Sequence, residues 1–223
     1  MKKFLTFILF LFSSLVLIAQ TQYLGNDAAN SQFQKILKDV AYGKVDKNTE
    51  IDGNKYLYKK SQEAVINLND GYKPIRVKTN YNIIKETFEI ESEDGILNLR
   101  PDKVNSITFN DANFIVYQGN FYKLITKTKS FSIIKSILLI AVEPDYQPGI
   151  QDKPNLRYKK ADVLYIQIGD KKSAIKVNKK YIYRLFVDSK QGEIKKFFKA
   201  NKISIRDDAD LKLLFDAFQD NLK

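Results

Sequence analysis

From Lys55 to Val177 the chain alternates apolar and polar residues, in short runs punctuated by turn dipeptides, and this period-two pattern limits the fold more than any other feature. Tyr56 and Tyr58 alternate with Lys55, Leu57 and Lys59, then Ala64, Ile66 and Leu68 form a second set that ends at Asp70-Gly71. Ile75, Val77, Thr79 and Tyr81 alternate with Arg76, Lys78, Asn80 and Asn82, which predicts a strand with one wet face. Asp94-Gly95 supplies the positive-φ residues of a tight turn, so 86–91 and 96–100 are expected to be hairpin partners. Val104, Ile107 and Phe109 lead to Phe114 and Val116, and Gln118-Gly119-Asn120 marks the next turn before Phe121 to Thr126. Ser132–Val142, the most apolar of these runs, is predicted to be a central strand buried on both faces. Pro144, Pro148 and Pro154 break both strand and helix, so 143–158 is expected to be a long loop. A last hairpin turns at Gly169-Asp170 and returns through Ala174 to Val177.

After Asn178 the period changes to that of a helix. Tyr181, Ile182, Leu185 and Phe186 follow a good N-cap in Asn178. Ile194, Phe197 and Phe198 form a second stripe after Ser189, and Leu211, Leu214, Phe215, Phe218 and Leu222 a third, with Asp207, Asp208 and Asp210 in its first turn. The expected fold is α+β and mainly β: an antiparallel sheet over 55–177, open-barrel or sandwich-like, with a C-terminal cap of about three short helices over 178–223.

Residues 1–19 read differently. Lys2 and Lys3 precede an apolar run from Phe4 to Ile18, and Ala19-Gln20 closes it, the layout of a secretory signal peptide cut after Ala19. A retained membrane anchor is the competing reading, but the run is short of the ~20 residues a spanning helix needs. The expected location is therefore periplasmic or secreted, with no transmembrane segment after cleavage. Residues 20–54 carry a weak pattern, with a short amphipathic helix expected over 31–42 from Phe33, Ile36, Leu37 and Val40. Asp46 to Glu50 resembles a calcium loop only superficially, because Ile51 stands where such a loop needs Gly.

The chain has no cysteine, which excludes a lipoprotein anchor, disulfides and thiolate chemistry. It also has no histidine, which removes imidazole catalysis and the usual transition-metal sites. No phosphate-cradling glycine motif occurs, and no cofactor, metal or catalytic residue is expected. Glu86, Glu89, Glu91, Glu93 and Asp94 are the densest acids; Glu89, Glu91 and Glu93 share one strand face and are expected to be its solvent side.

Charge is uneven. Residues 20–120 hold 13 basic and 14 acidic residues, whereas 121–223 hold 22 and 12. The basic second half fits an anionic envelope component, with Lys195, Lys196, Lys199 and Lys202 as the candidate binding residues, against the simpler reading of a solvated lysine-rich surface. Only five basic residues are arginine, the residue that bidentate phosphate recognition favours, and nucleic acid lies in the wrong compartment for an exported chain. Ile83 and Ile84, an oily pair at a hairpin corner, are a second candidate contact, expected to pack on a neighbouring element or to meet a protein partner.

Ala19-Gln20, Tyr81-Asn82, Phe88-Glu89-Ile90, Asn120-Phe121-Tyr122, Glu143-Pro144 and Pro148, Phe198 to Lys202, and Asp210-Leu211 follow one another along the chain. Their order resembles that in a group of small exported proteins of Bacteroidota-type bacteria. Arginine often precedes the Tyr-Asn pair in that group, whereas Asn80 stands here. The resemblance implies an exported, β-rich protein and brings no catalytic residues with it. The functional expectation is a non-enzymatic binding or envelope-associated protein. A glycan hydrolase working with carboxylates alone, and a structural subunit of an envelope complex, are the alternatives.

Overall fold

The computed structural model describes residues 41–44, 53–93, 95–142, 145, 147, 150 and 155–223. The signal peptide expected over 1–19 and the calcium-like stretch lie outside these residues. Of the helix expected over 31–42, only Ala41 and Tyr42 are described, and both are extended in a short strand, β1 (Ala41–Lys44), rather than helical. The chain divides into two compact units, Met1–Tyr42 and Gly43–Lys223, and the second carries the architecture below.

Ten strands form one antiparallel sheet: β2 (Gln62–Leu68), β3 (Ile75–Asn82), β4 (Thr87–Ser92), β5 (Gly95–Leu99), β6 (Val104–Thr108), β7 (Asn113–Tyr117), β8 (Asn120–Lys127), β9 (Ser132–Val142), β10 (Arg157–Ile168) and β11 (Lys171–Ile175). Their order is β5-β4-β3-β2-β6-β7-β8-β9-β10-β11, so one meander runs from β2 out to β5 and another from β6 to β11. The turns form where the dipeptides predicted. Gln118 and Gly119 take φ of 49° and 75° between paired Tyr117 and Asn120, as a type I′ hairpin requires. Tyr56 and Tyr58, expected to start the strand series, instead lie in an irregular segment joined to the sheet by a single bridge, Tyr56 to Asn82.

One connection dictates the curvature. β5 and β6 are four places apart in the order yet are joined only by Arg100 and the 3-10 turn Pro101–Lys103. In a flat sheet that separation would be about 19 Å, and a three-residue 3-10 turn rises only ~6 Å. The sheet must therefore curl, and the rings show that it does. Phe88 of β4 meets Phe114 of β7 and Phe121 of β8, each with centroids 5.0 Å apart. Tyr81 and Phe109 complete this aromatic core.

The concave face is continuous. Directly paired residues share a face, and one cross-strand row runs Ile75, Ile66, Ile107, Phe114, Lys123, Lys135, Leu164, Ile175 over eight strands. At one end of the row the curled strands cover it. At the other end helices do, namely α1 (Lys179–Arg184), α2 (Gln191–Ala200) and α3 (Asp208–Ala217). Ile182, Phe186, Ile194, Phe198, Leu211, Leu214 and Phe215 pack there on Ile133, Leu164 and Ile175. The helical stripes are thus core, and each buried Leu, Ile or Phe contributes ~1.5–3 kcal/mol by leaving water. Asn178 caps α1 through Lys180 N at 2.8 Å, and Asp207 caps α3 through Ala209 N and Asp210 N. α2 follows directly on a 3-10 turn, Asp188–Lys190, and Lys190 occupies its cap position without a side-chain bond.

Two further expectations change. Ser132–Val142 is one strand, but only Ser132 to Lys135 is buried on both faces, and Ile140 is exposed. The proline segment is shorter than 143–158, because Arg157 and Tyr158 already pair with Val142 and Ala141 in β10. No helix among the described residues is long and apolar enough to cross a membrane.

Candidate functional site

The hairpin corner of β3 and β4 departs most from its sequence pattern. The convex face of β3, predicted to be wet, is so at Arg76 and Lys78 but closes toward the corner, where Asn80 is 4 % and Asn82 0 % exposed. Glu89, predicted to face solvent beside Glu91, is only 5 % exposed. Its cover comes from Lys55–Leu57, which runs beside the end of β3 through Leu57 N to Tyr81 O and Ile83 N to Lys55 O, both 2.9 Å. Tyr56 crosses β3 and donates its phenol to Glu89 Oε2 at 2.7 Å; Asn82 Nδ2 donates to Glu89 Oε1 at 2.8 Å, and Lys85 Nζ stands 3.7 Å away. Burial, then the bond to Glu89, push the Tyr56 phenol above its ordinary range, so it remains a donor.

The oily pair at this corner is split. Ile83 is buried, in line with the packing expectation, but Ile84 is half-exposed because the turn points it outward. Asn82 Oδ1 sets that turn by accepting from Ile84 N and Lys85 N, each at 3.2 Å.

Glu89 and Glu91 line a groove of about 400 Å³, and both belong to β4. No other acid among the described residues lines it, so the opposed carboxylates of a glycan hydrolase are not assembled there.

The lysines of the second half do converge. On α2, Lys195 and Lys199 are one turn apart, and Lys202 follows just past the helix end. Lys202 has φ of 50°, the left-handed conformation in which helices usually place glycine. These three lysines, with Lys179 from the start of α1, surround a pocket of about 440 Å³ lined also by Tyr183, Phe198 and Ile203. Tyr183 and Phe198 meet edge to face with centroids 5.1 Å apart. Lys195 Nζ lies 5.9 Å from the Tyr183 centroid and Lys179 Nζ 6.0 Å from that of Phe198. None of the four has a carboxylate within 4.0 Å among the described residues, whereas Lys190, Lys212 and Lys223 of the same cap pair with Glu193, Asp216 and Asp188.

Lys196 is exposed on α2 but does not line the pocket, because its side chain projects about 100° around the helix from Lys195. Charge density alone missed Lys179, Tyr183, Phe198 and Ile203. The one available signal was the Tyr181-Ile182-Tyr183-Arg184 cluster, which helix amphipathicity explained more simply.

No protein-family model, curated protein or solved structure matches this chain.

Proposed function

We propose that the protein is an exported, non-enzymatic binding protein of the cell envelope that holds an anionic partner on the lysine pocket of its helical cap. One observation carries this reading: Lys179, Lys195, Lys199 and Lys202 surround an aromatic floor without a neighbouring carboxylate among the described residues. Like charges at close range oppose folding, and a merely solvated surface gains from interspersing acids, as Lys190, Lys212 and Lys223 of the cap do with Glu193, Asp216 and Asp188. A multivalent anion relieves the repulsion, and an amphiphilic one also covers the rings. The apolar amino-terminal run supports export, and the absence of His and Cys supports a binding role over catalysis.

Co-sedimentation with vesicles containing an anionic phospholipid, at low and high salt, tests it. Wild type is expected in the pellet at low salt and in the supernatant at high salt. Reversal of Lys179, Lys195, Lys199 and Lys202 to Glu should abolish pelleting, while Lys196→Glu should retain most of it. Equal pelleting of the quadruple variant and wild type would sink the proposal.

A further inference from the structure

The groove over the convex face of β3, β4 and β5 holds more polar burial than the fold requires. Asn80, Glu89 and Asn98 form one cross-strand row, at 4 %, 5 % and 9 % exposure. Asn80 is spent on structure: its Oδ1 accepts from Tyr58 N at 3.1 Å and its Nδ2 donates to Tyr58 O at 3.0 Å. Asn98, paired with Glu89 but outside the groove lining, is not, since its buried Oδ1 has no hydrogen-bond partner among the described residues. Glu89 keeps a full carboxylate at the groove wall, and one bond to each oxygen leaves further acceptor capacity on both. A buried acid and an orphaned amide oxygen in one row cost stability that apolar side chains would not.

The groove also states what it would accept. Glu89 and Glu91 are acceptors with capacity left over: Glu89 takes one bond on each oxygen, Glu91 takes Ser61 Oγ at 3.4 Å, and both can accept further donors from a ligand. Lys59, Lys60 and Lys78 stand at the rim without a carboxylate within 4.0 Å among the described residues, and they disfavour a cationic donor such as an amine. Hydroxyl groups donate without charge, and an acidic substituent on the same molecule satisfies the lysines. The volume of about 400 Å³ lies in the range of small-molecule sites, and the walls are fixed by the bonds of Tyr56 and Asn80. We propose that this groove is a second binding site, independent of the cap pocket, for an acidic saccharide: its hydroxyls donate to Glu89 and Glu91, and its anionic group meets Lys59, Lys60 and Lys78.

Isothermal titration of the full chain with an oligogalacturonate, a sulfated oligosaccharide, a phosphorylated hexose, a neutral glucose oligomer and inorganic phosphate tests this. At least one acidic sugar should give saturable binding, at least about tenfold tighter than the neutral oligomer or phosphate. Lys59 and Lys78 reversed together to Glu should weaken it about tenfold or more, and Lys195→Glu should leave it unchanged. Glu89→Gln, checked for an unaltered thermal transition, should also weaken the sugar; if it does not fold, Glu91→Gln serves the same purpose from the exposed rim. Absence of binding to all three acidic sugars would overturn the proposal. So would equal binding of inorganic phosphate, or indifference to the Lys59/Lys78 reversal. Loss through Lys195→Glu alone would assign the sugar to the cap pocket and overturn this groove as its site.

Discussion

Lys202 shows how a single residue serves two opposing demands. It sits past the end of α2 with φ of 50°, and Ile203 N reaches back to Phe198 O at 3.0 Å to close the helix. Glycine adopts that conformation freely, while a side chain there costs about 1 kcal/mol. Lysine at this position places a fourth ammonium on the pocket rim. Lys202→Gly should therefore raise stability by about 1 kcal/mol in urea denaturation while weakening pelleting with anionic vesicles. A stability gain without loss of pelleting would remove Lys202 from the site. Asn82 is the opposite case, a residue whose demands agree: it shapes the turn through its oxygen and holds Glu89 through its nitrogen.

At the scale of elements, α3 is fastened to the sheet by charge as well as by Leu211, Leu214 and Phe215. Asp208 in its first turn pairs with Lys123 of β8 at 2.8 Å and with Lys135 of β9; Lys135 also lies 3.3 Å from Asp162 of β10. Burial raises the Asp208 carboxyl, but the hydrogen bonds from Lys123 and Lys135, with their charges, outweigh it and hold the group below the ordinary carboxylate range. A depressed folded value means that this stabilisation is complete above the unfolded value of about 3.9 and disappears as pH falls through the folded one. Urea midpoints measured from about pH 7 down to about pH 3 should decline, and Asp208→Asn should flatten that decline. Asp216 is lowered too: burial raises it, and Lys212 and Thr126 reverse the effect, so part of the slope will remain. An unchanged acid slope in Asp208→Asn would show that the pair does not hold the cap.

For the whole molecule, the described residues of the unit Gly43–Lys223 form one curled sheet with two covers on its concave face, and among them neither cover reaches the far ribbon. The last pairing of β8 with β9 in that direction is Lys123 with Lys135, while β9 and β10 stay paired from there to Val142 and Arg157. Two-stranded ribbons are marginal in water. This one leans on the segment before β2, where Lys160 Nζ bonds to Leu57 O at 2.6 Å and a Cβ on Gly53 would come within 3.3 Å of Tyr158. Amide exchange should grade along these strands: Ile140 and Tyr158 should exchange at least about a hundredfold faster than Ile133 and Leu164. Uniform protection from end to end would indicate a cover over the ribbon.

The sequence by itself determined β2 to β11, most of the turns and the three helices. Those depend on local periodicity and on short-range chemistry, such as the positive φ of Gly119 and the caps at Asn178 and Asp207. It also determined which residues of one strand share a face, so Asn80 and Asn82 were rightly grouped on one strand and Glu89 and Glu91 on the next; the pairing of Asn80 with Glu89 came with the sheet. Tertiary structure decided which part of a face is covered. Tyr56 reaches Glu89 from 33 residues away and turns a wet position into a buried one. The pairing of α1 with α2 likewise decided that Lys179 joins Lys195, Lys199 and Lys202 while Lys196 does not. Periodicity fixes direction because it belongs to one backbone; burial and charge convergence belong to the distances between segments, which exist only after the chain has curled and packed.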